Sequence, residues 1–145
     1  MKLKDLIGQR VHFIGIGGSG MSGLARIAIS HGIRVSGSDA SDSSVLNALR
    51  AIGAEVFIGH KAENVQGADL IVFSNAIKTN NPEREAGSAA GITEITRAAA
   101  LSLLMSESVS IAVAGTHGKT TTSSMATVAL QSAGADPSFA IGGIL

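Results

Sequence analysis

The stretch "VHFIGIGGSGMSGLARIAIS", residues 11–30, decides the fold. "VHFIGI" (11–16) is a short β-rich run that stops at glycines. In "MSGLARIAIS" (21–30), Met21, Leu24, Ala25, Ala28 and Ile29 recur at helical spacing. Between the two lies G-x-G-x-x-G in two overlapping registers, Gly15-Gly17-Gly20 and Gly18-Gly20-Gly23. A strand, a glycine turn and a helix start in that order form a diphosphate cradle. Glycines allow the tight turn and the close backbone approach, and amides at the helix start point at the anion. Asp39 closes the second β-run, "IRVSGSD" (33–39), where a ribose-binding acid belongs. The plain alternative is a packing turn with an Asp that caps the next helix. The order of all four features favours nucleotide binding and leaves the nucleotide unnamed.

Outward from this unit, strands alternate with helix-sized segments. "SSVLNALRAIG" (43–53) reads as a helix capped by Ser43 or Ser44 and stopped at Gly53. "EVFIG" (55–59) and "ADLIVFS" (68–74) read as strands, the second apolar enough for burial on both faces. "NPEREAGSAAG" (81–91) starts a helix at Asn-Pro, "ITEI" (92–95) is a short strand, and "TRAAALSLLM" (96–105) is an apolar helix with Thr96 as its cap. The expected fold class is α/β, a Rossmann-like doubly wound parallel sheet. "VSIAVAG" (109–115) and "KTTTSSMATVALQSAG" (119–134) repeat the strand–loop–helix unit, and "PSFAIGG" (137–143) starts one more strand. The polar "SES" (106–108) makes a linker. The expected division is a nucleotide-binding domain over 1–106 and, over 107–145, the first β-P-loop-α unit of a second, ATP-binding α/β domain. The other arrangement left open is that 109–114 joins the first sheet as a sixth strand.

Composition narrows the class. The chain has 145 residues, 45% of them apolar, which is enough for a core. A net charge of zero points to no nucleic acid partner. There is no cysteine, hence no disulfide, thiolate nucleophile or cysteine metal site. Neither a signal-peptide core nor an apolar run of membrane-spanning length occurs, so a cytoplasmic location without membrane insertion is the expectation.

The second loop, "AVAGTHGKTTT" (112–122), ends as a phosphate loop does, in Gly118-Lys119-Thr120, yet Val113 stands where G-x-x-x-x-G-K-[ST] has its first glycine. Gly115 and Gly118 can carry the unusual backbone angles of a shorter nest. Lys119 would then lie between the outer phosphates of a nucleoside triphosphate, and the Thr120 hydroxyl would ligate Mg2+. The competing reading, a helix start with an exposed lysine, fits Gly-Lys-Thr-Thr at a strand–helix junction poorly.

"HFIGIGGSGMSGLA" followed by "IAVAGTHGKTTTSSM" resembles the Mur ligase family of peptidoglycan synthesis, and within it the members that join L-alanine to UDP-N-acetylmuramic acid. "VSGSD" (35–39), "GAEVFIGH" (53–60), "ADLIVFSNAI" (68–77), Arg97-Ala98 and "FAIGG" (139–143) add to the resemblance. The family's ATP loop is G-T-x-G-K-[ST], so the glycine missing at 113 is a family trait. The resemblance implies a three-domain enzyme with ATP and Mg2+ as cofactors. Its reaction phosphorylates the lactyl carboxylate, and the L-alanine amine attacks the acyl phosphate through a tetrahedral intermediate. It implies that Gly17, Gly18, Ser19 and Gly20, with Met21 and Ser22, hold the UDP diphosphate. Asp39, His60, Ser74, Asn75, Ala76 and Ile77 would lie around the ribose and uracil. Gly115, Thr116, His117, Gly118, Lys119, Thr120 and Thr121 would bind ATP, with Lys119 catalytic, Thr120 on Mg2+ and Thr121 on a phosphate. His117 is read as a backbone contributor, and His12 and His31 as structural. A homodimer is an open expectation. The acid that shares Mg2+ with Thr120, the adenine contacts and the amino-acid domain match nothing in these residues, so the chain is expected to bind UDP without turning over. Three alternatives stay open: a recycling ligase that attaches a whole peptide to the same UDP-sugar, a nicotinamide-dependent dehydrogenase, and a non-catalytic nucleotide-binding module.

Overall fold

The computed structural model describes residues 1–142. Five parallel strands, β1 (Arg10–Ile14), β2 (Arg34–Asp39), β3 (Glu55–Ile58), β4 (Leu70–Phe73) and β5 (Thr93–Thr96), form one sheet in the order β3-β2-β1-β4-β5. The helices are α1 (Ser19–Ser30), α2 (Ser44–Ala51), α3 (Pro82–Ala89), α4 (Arg97–Met105) and α5 (Lys119–Ser132).

The local signals behave as their chemistry requires. Ser43 caps α2 by accepting from Leu46 N–H, Asn81 caps α3 by accepting from Glu83 N–H with Pro82 following, and Thr96 caps α4 by accepting from Ala99 N–H. Alternation along β1 then divides the sheet. Val11 and Phe13 face a core built with α1, α2 and α4, including Leu24, Ala28, Leu46, Leu49 and Leu104. Ile14 and, from β4, Ile71 face the other side, with Val65 and, less deeply buried, Ala86 of α3. Helices therefore cover both faces, which is the doubly wound architecture. Gly87 lets α3 lie close, because a Cβ there would overlap Ile71 Cδ1.

The chain departs from expectation after α4. Residues 109–114 form no strand and are mostly exposed, with Val109 fully so and Ile111 at 69%. A strand is made by its neighbour's hydrogen bonds, and neither edge of the sheet takes this segment up. The sixth-strand arrangement is thereby excluded for the described residues. Of the expected β-P-loop-α unit, the loop and helix form and the strand does not. Residues 137–142 likewise pair with no strand, and the last residue of that expected strand lies outside the described residues. Ala140 nevertheless rests on α1, 3.6 Å from where a Cβ on Gly23 would stand.

Candidate nucleotide site at the carboxyl ends of the strands

β1 and β4 are neighbours, yet the chain leaves β1 through α1 on one face and β4 through α3 on the other. At such a switch point the loops diverge and leave a crevice beyond the strand ends. The predicted residues of the first site converge here. Gly15, at φ +79°, turns the chain out of β1, and its N–H and that of Ile16 donate to Ser38 O at 2.8 and 2.9 Å. Gly18 is the N-cap of α1 and has no side chain to satisfy the helix amides. Met21 and Ser22 N–H both donate to Gly18 O, at 3.0 and 2.8 Å. The amides of Ser19 and Gly20 have no acceptor among the described residues. A 12-residue helix thus presents two open N–H groups at its positive end, which suits an anion.

Two residues of the expected diphosphate set have other work. Met21 is 2% exposed, its side chain in the core and its N–H already bonded, so it supports the loop from beneath. Gly17 N–H donates to Asp39 Oδ2 at 2.8 Å. Asp39 also accepts from Ala40 N–H through Oδ1 at 2.8 Å, so its carboxylate holds the glycine loop onto the end of β2. It stays half-buried at the end of β2.

The other predicted contacts stand around this loop. Ser74, Asn75, Ala76 and Ile77 form a turn after β4, closed by Ile77 N–H donating to Ser74 O at 2.9 Å. Ile77 Cδ1 lies 3.7 Å from where a Cβ on Gly15 would be, so this turn faces the glycine loop. Arg84 clamps it by donating to Ile77 O at 3.1 Å while lying over the Phe73 ring at 3.8 Å and pairing with Glu94 at 3.1 Å. His60 follows β3 just after Gly59, whose N–H donates to Asp39 O at 2.8 Å.

Two participants receive no site role in the sequence reading, although Arg97 is among the residues that carry the family resemblance. Arg97, the first residue of α4, lies across the opening turn of α1. A Cβ on Gly20 would stand 3.1 Å from its Cδ and 3.4 Å from Nε and Nη1. The guanidinium therefore sits beside the open amides and adds a full positive charge to them. The second is Glu83, fully buried at the start of α3. Its Oε1 accepts from His12 Nε2 at 3.0 Å and Asn64 Nδ2 at 2.9 Å, and its Oε2 from Ser38 Oγ at 2.6 Å and His60 Nδ1 at 2.8 Å. Burial pushes this carboxyl's pKa up. The bonds from His12, Ser38, His60 and Asn64 outweigh it and hold the group down at about 2. The signal for Glu83 was the polar strip His12, Ser36 and Ser38 at alternate strand positions, because a buried polar sheet face needs a polar partner on the covering helix.

The second predicted site is separate and open. Gly118 (φ +78°) is the left-handed N-cap of α5, whereas Gly115 (φ +158°) is close to extended. Gly118 therefore makes the turn largely alone. Lys119 Nζ folds back to donate to Gly115 O at 2.7 Å. Thr116, His117, Thr120 and Thr121 are exposed around an N-terminus that has no side-chain cap. These residues fit a phosphate chain: open amides, an ammonium within the loop and hydroxyls on the first turn. No group of three or more His, Asp or Glu in metal-binding proximity occurs among the described residues, so Thr120 has no such cluster to join.

Among the described residues no helix is long and apolar enough to cross a membrane. The model of the Mur ligase family, catalytic domain, matches residues 10–108. The UDP-N-acetylmuramate–L-alanine ligase of Renibacterium salmoninarum is 54% identical over 143 residues, 99% of this chain and 30% of that protein. The crystal structure of the UDP-N-acetylmuramate-alanine ligase of Thermotoga maritima superposes with a TM-score of 0.87 at 33% identity, over 94% of this chain and 32% of that one. A UDP-N-acetylmuramate:L-alanyl-gamma-D-glutamyl-meso-diaminopimelate ligase from Neisseria meningitides superposes with 0.80 at 39%, over 94% and 43%. With a crevice at the switch point and a family model that spans all five strands of its sheet, this chain belongs to the Mur ligase family.

Proposed function

We propose that this chain carries the uridine-diphosphate site and the ATP loop of a ligase that joins L-alanine to UDP-N-acetylmuramic acid. The observation that carries the reading is the pair of open amides, Ser19 and Gly20, with the Arg97 side chain across them at the switch point. Two N–H donors and a guanidinium match a diphosphate, and anions bound this way gain from both the helix dipole and charge-assisted hydrogen bonds. The 54% identity to an L-alanine ligase over 99% of this chain favours that substrate. Because the chain spans about 30% of such a relative, the ligation itself is proposed for a polypeptide of that length.

Residues 1–106 would bind the UDP-sugar and 107–145 would begin the ATP-binding domain, a division supported by the family match ending at 108. Ser19, Gly20 and Arg97 would hold the diphosphate, and Asp39 the ribose while tying down Gly17. His60 and the 74–77 turn would flank the base. In the second loop Lys119 would leave Gly115 O for a phosphate oxygen, with Thr121 beside it. Mg2+, held through Thr120, would neutralise phosphate charge there.

Calorimetry with UDP, UDP-N-acetylmuramic acid and NAD tests the reading. Binding of both uridine nucleotides in preference to NAD is expected. A preference for NAD would overturn it in favour of a dehydrogenase.

A further inference from the structure

The bonds around Glu83 have a direction. A carboxylate only accepts, so each histidine nitrogen facing it must carry a proton. His12 therefore bears its proton on Nε2, which leaves Nδ1 to accept from Ser36 Oγ at 2.9 Å, while Ser36 Oγ accepts from Arg10 Nε at 3.2 Å. His60 donates through Nδ1 to Glu83 Oε2 at 2.8 Å. When only Nδ1 carries a proton, the ring's lone pair is on Nε2, an atom with no partner among the described residues and not sealed from solvent. Diphosphate at α1 and ribose at Asp39 put the base beyond β2, toward the end of β3 where His60 stands. Uracil offers an N3–H donor at its centre, and cytosine offers a bare N3 acceptor.

We propose that Glu83 is a positioning residue that fixes His60 as the Nδ1–H tautomer, so that Nε2 accepts from the base and selects uracil over cytosine. This rests on the uridine-diphosphate reading above. Glu83→Gln is isosteric and makes a sharp test. The new amide needs an acceptor on one side. On the Oε1 side Asn64 Nδ2 also donates to Gly59 O at 3.0 Å and cannot turn round without losing that bond. On the Oε2 side the Ser38 hydroxyl rotates freely and His60 only has to exchange its tautomer. The glutamine NH2 settles there, His60 becomes Nε2–H, and the preference runs the other way.

The experiment is histidine 15N NMR of this chain for the tautomer, with calorimetric titration by UDP, CDP and inorganic diphosphate. Wild type should show His60 as Nδ1–H and prefer UDP over CDP by about tenfold, the effect of one hydrogen bond left unmade. Glu83→Gln should switch His60 to Nε2–H and abolish or invert that preference, with diphosphate binding unchanged. A mere packing role would move neither tautomer nor ratio. Should Glu83→Gln fail to fold, His60→Ala, at a half-buried position, must lose the preference and keep diphosphate binding. A wild-type His60 protonated on Nε2, equal affinity for UDP and CDP, or an unchanged ratio in folded Glu83→Gln overturns the inference alone. If wild type binds none of the three, the uridine-diphosphate reading falls and takes the inference with it.

Discussion

Replacing Gly37 with alanine sets one added methyl against the base of the glycine loop. Gly37 lies opposite Phe13 in the parallel register of β2 on β1. Its Cβ would stand 2.6 Å from Ile16 Cδ1, 2.7 Å from Ile16 Cβ and 2.7 Å from Phe13 O. Carbon atoms rest about 3.5–4.0 Å apart, so the overlap is on the order of 1 Å. A rotamer change can move Cδ1 away but neither Ile16 Cβ nor a backbone oxygen. Ile16 has no exposed surface and no room to retreat. Overpacking of this kind costs about 1–3 kcal/mol, and the two fixed contacts put Gly37→Ala at the upper end. Ile16 also lies between Gly15 and Gly17, so relief by backbone shift displaces the glycine loop. Urea unfolding should show a lower midpoint at constant m, and UDP affinity should fall with it. Gly67→Ala is the control: nothing lies within 4 Å of its added Cβ, so only the left-handed backbone at φ +73° costs it, about 1–2 kcal/mol. Gly37→Ala no less stable than that control, or unstable with UDP affinity untouched, would refute the reasoning.

Three further outcomes follow from the same geometry. Glu83 has its folded pKa held down at about 2 against an ordinary 4.5, so its contribution is complete above pH 4.5 and lost as pH falls toward 2; this is about 3 kcal/mol, and Glu83→Gln should flatten that acid limb in denaturation measured from pH 6 to 2. Arg97→Ala should weaken UDP binding about tenfold in calorimetry and leave the urea midpoint within about 0.5 kcal/mol of wild type, because the side chain is exposed. Lys119→Ala should leave stability and UDP affinity unchanged and weaken any binding of triphosphate by about tenfold or more, read by titration with Mg-ATP.

Much of the fold was written locally. Ser43, Asn81 and Thr96 cap the helices their residue types announce, and the glycine loop appears where strand periodicity gives way to helix periodicity. The Glu83 hub was not legible that way. To Glu83 at the start of α3 come partners from β1, β2, the residues just after β3 and the Ala62–Val65 turn, with His12 and Glu83 separated by 71 positions, so only the finished topology assembles it. Asp39 shows a subtler limit. Its position at the end of β2 announces a ribose acid, but its bond to Gly17 N–H depends on the exact height of the loop beside it. The segment 109–115 has strand composition and no strand, because pairing is a property of two segments and composition is a property of one.

That unpaired segment has a practical consequence. "VSIAVA" (109–114) is apolar but for Ser110, partly β-branched and free of proline and charge, with Val109 and Ile111 open to solvent. Such hexapeptides are the material of cross-β association when nothing covers them. The chain carries no net charge at pH 7, and its isoelectric point near 6.9 removes the repulsion that would keep copies apart. Concentrated near neutrality, the protein should therefore scatter light and bind amyloid dyes sooner than at pH 9, and a lysine in place of Ile111 should delay both without disturbing the sheet.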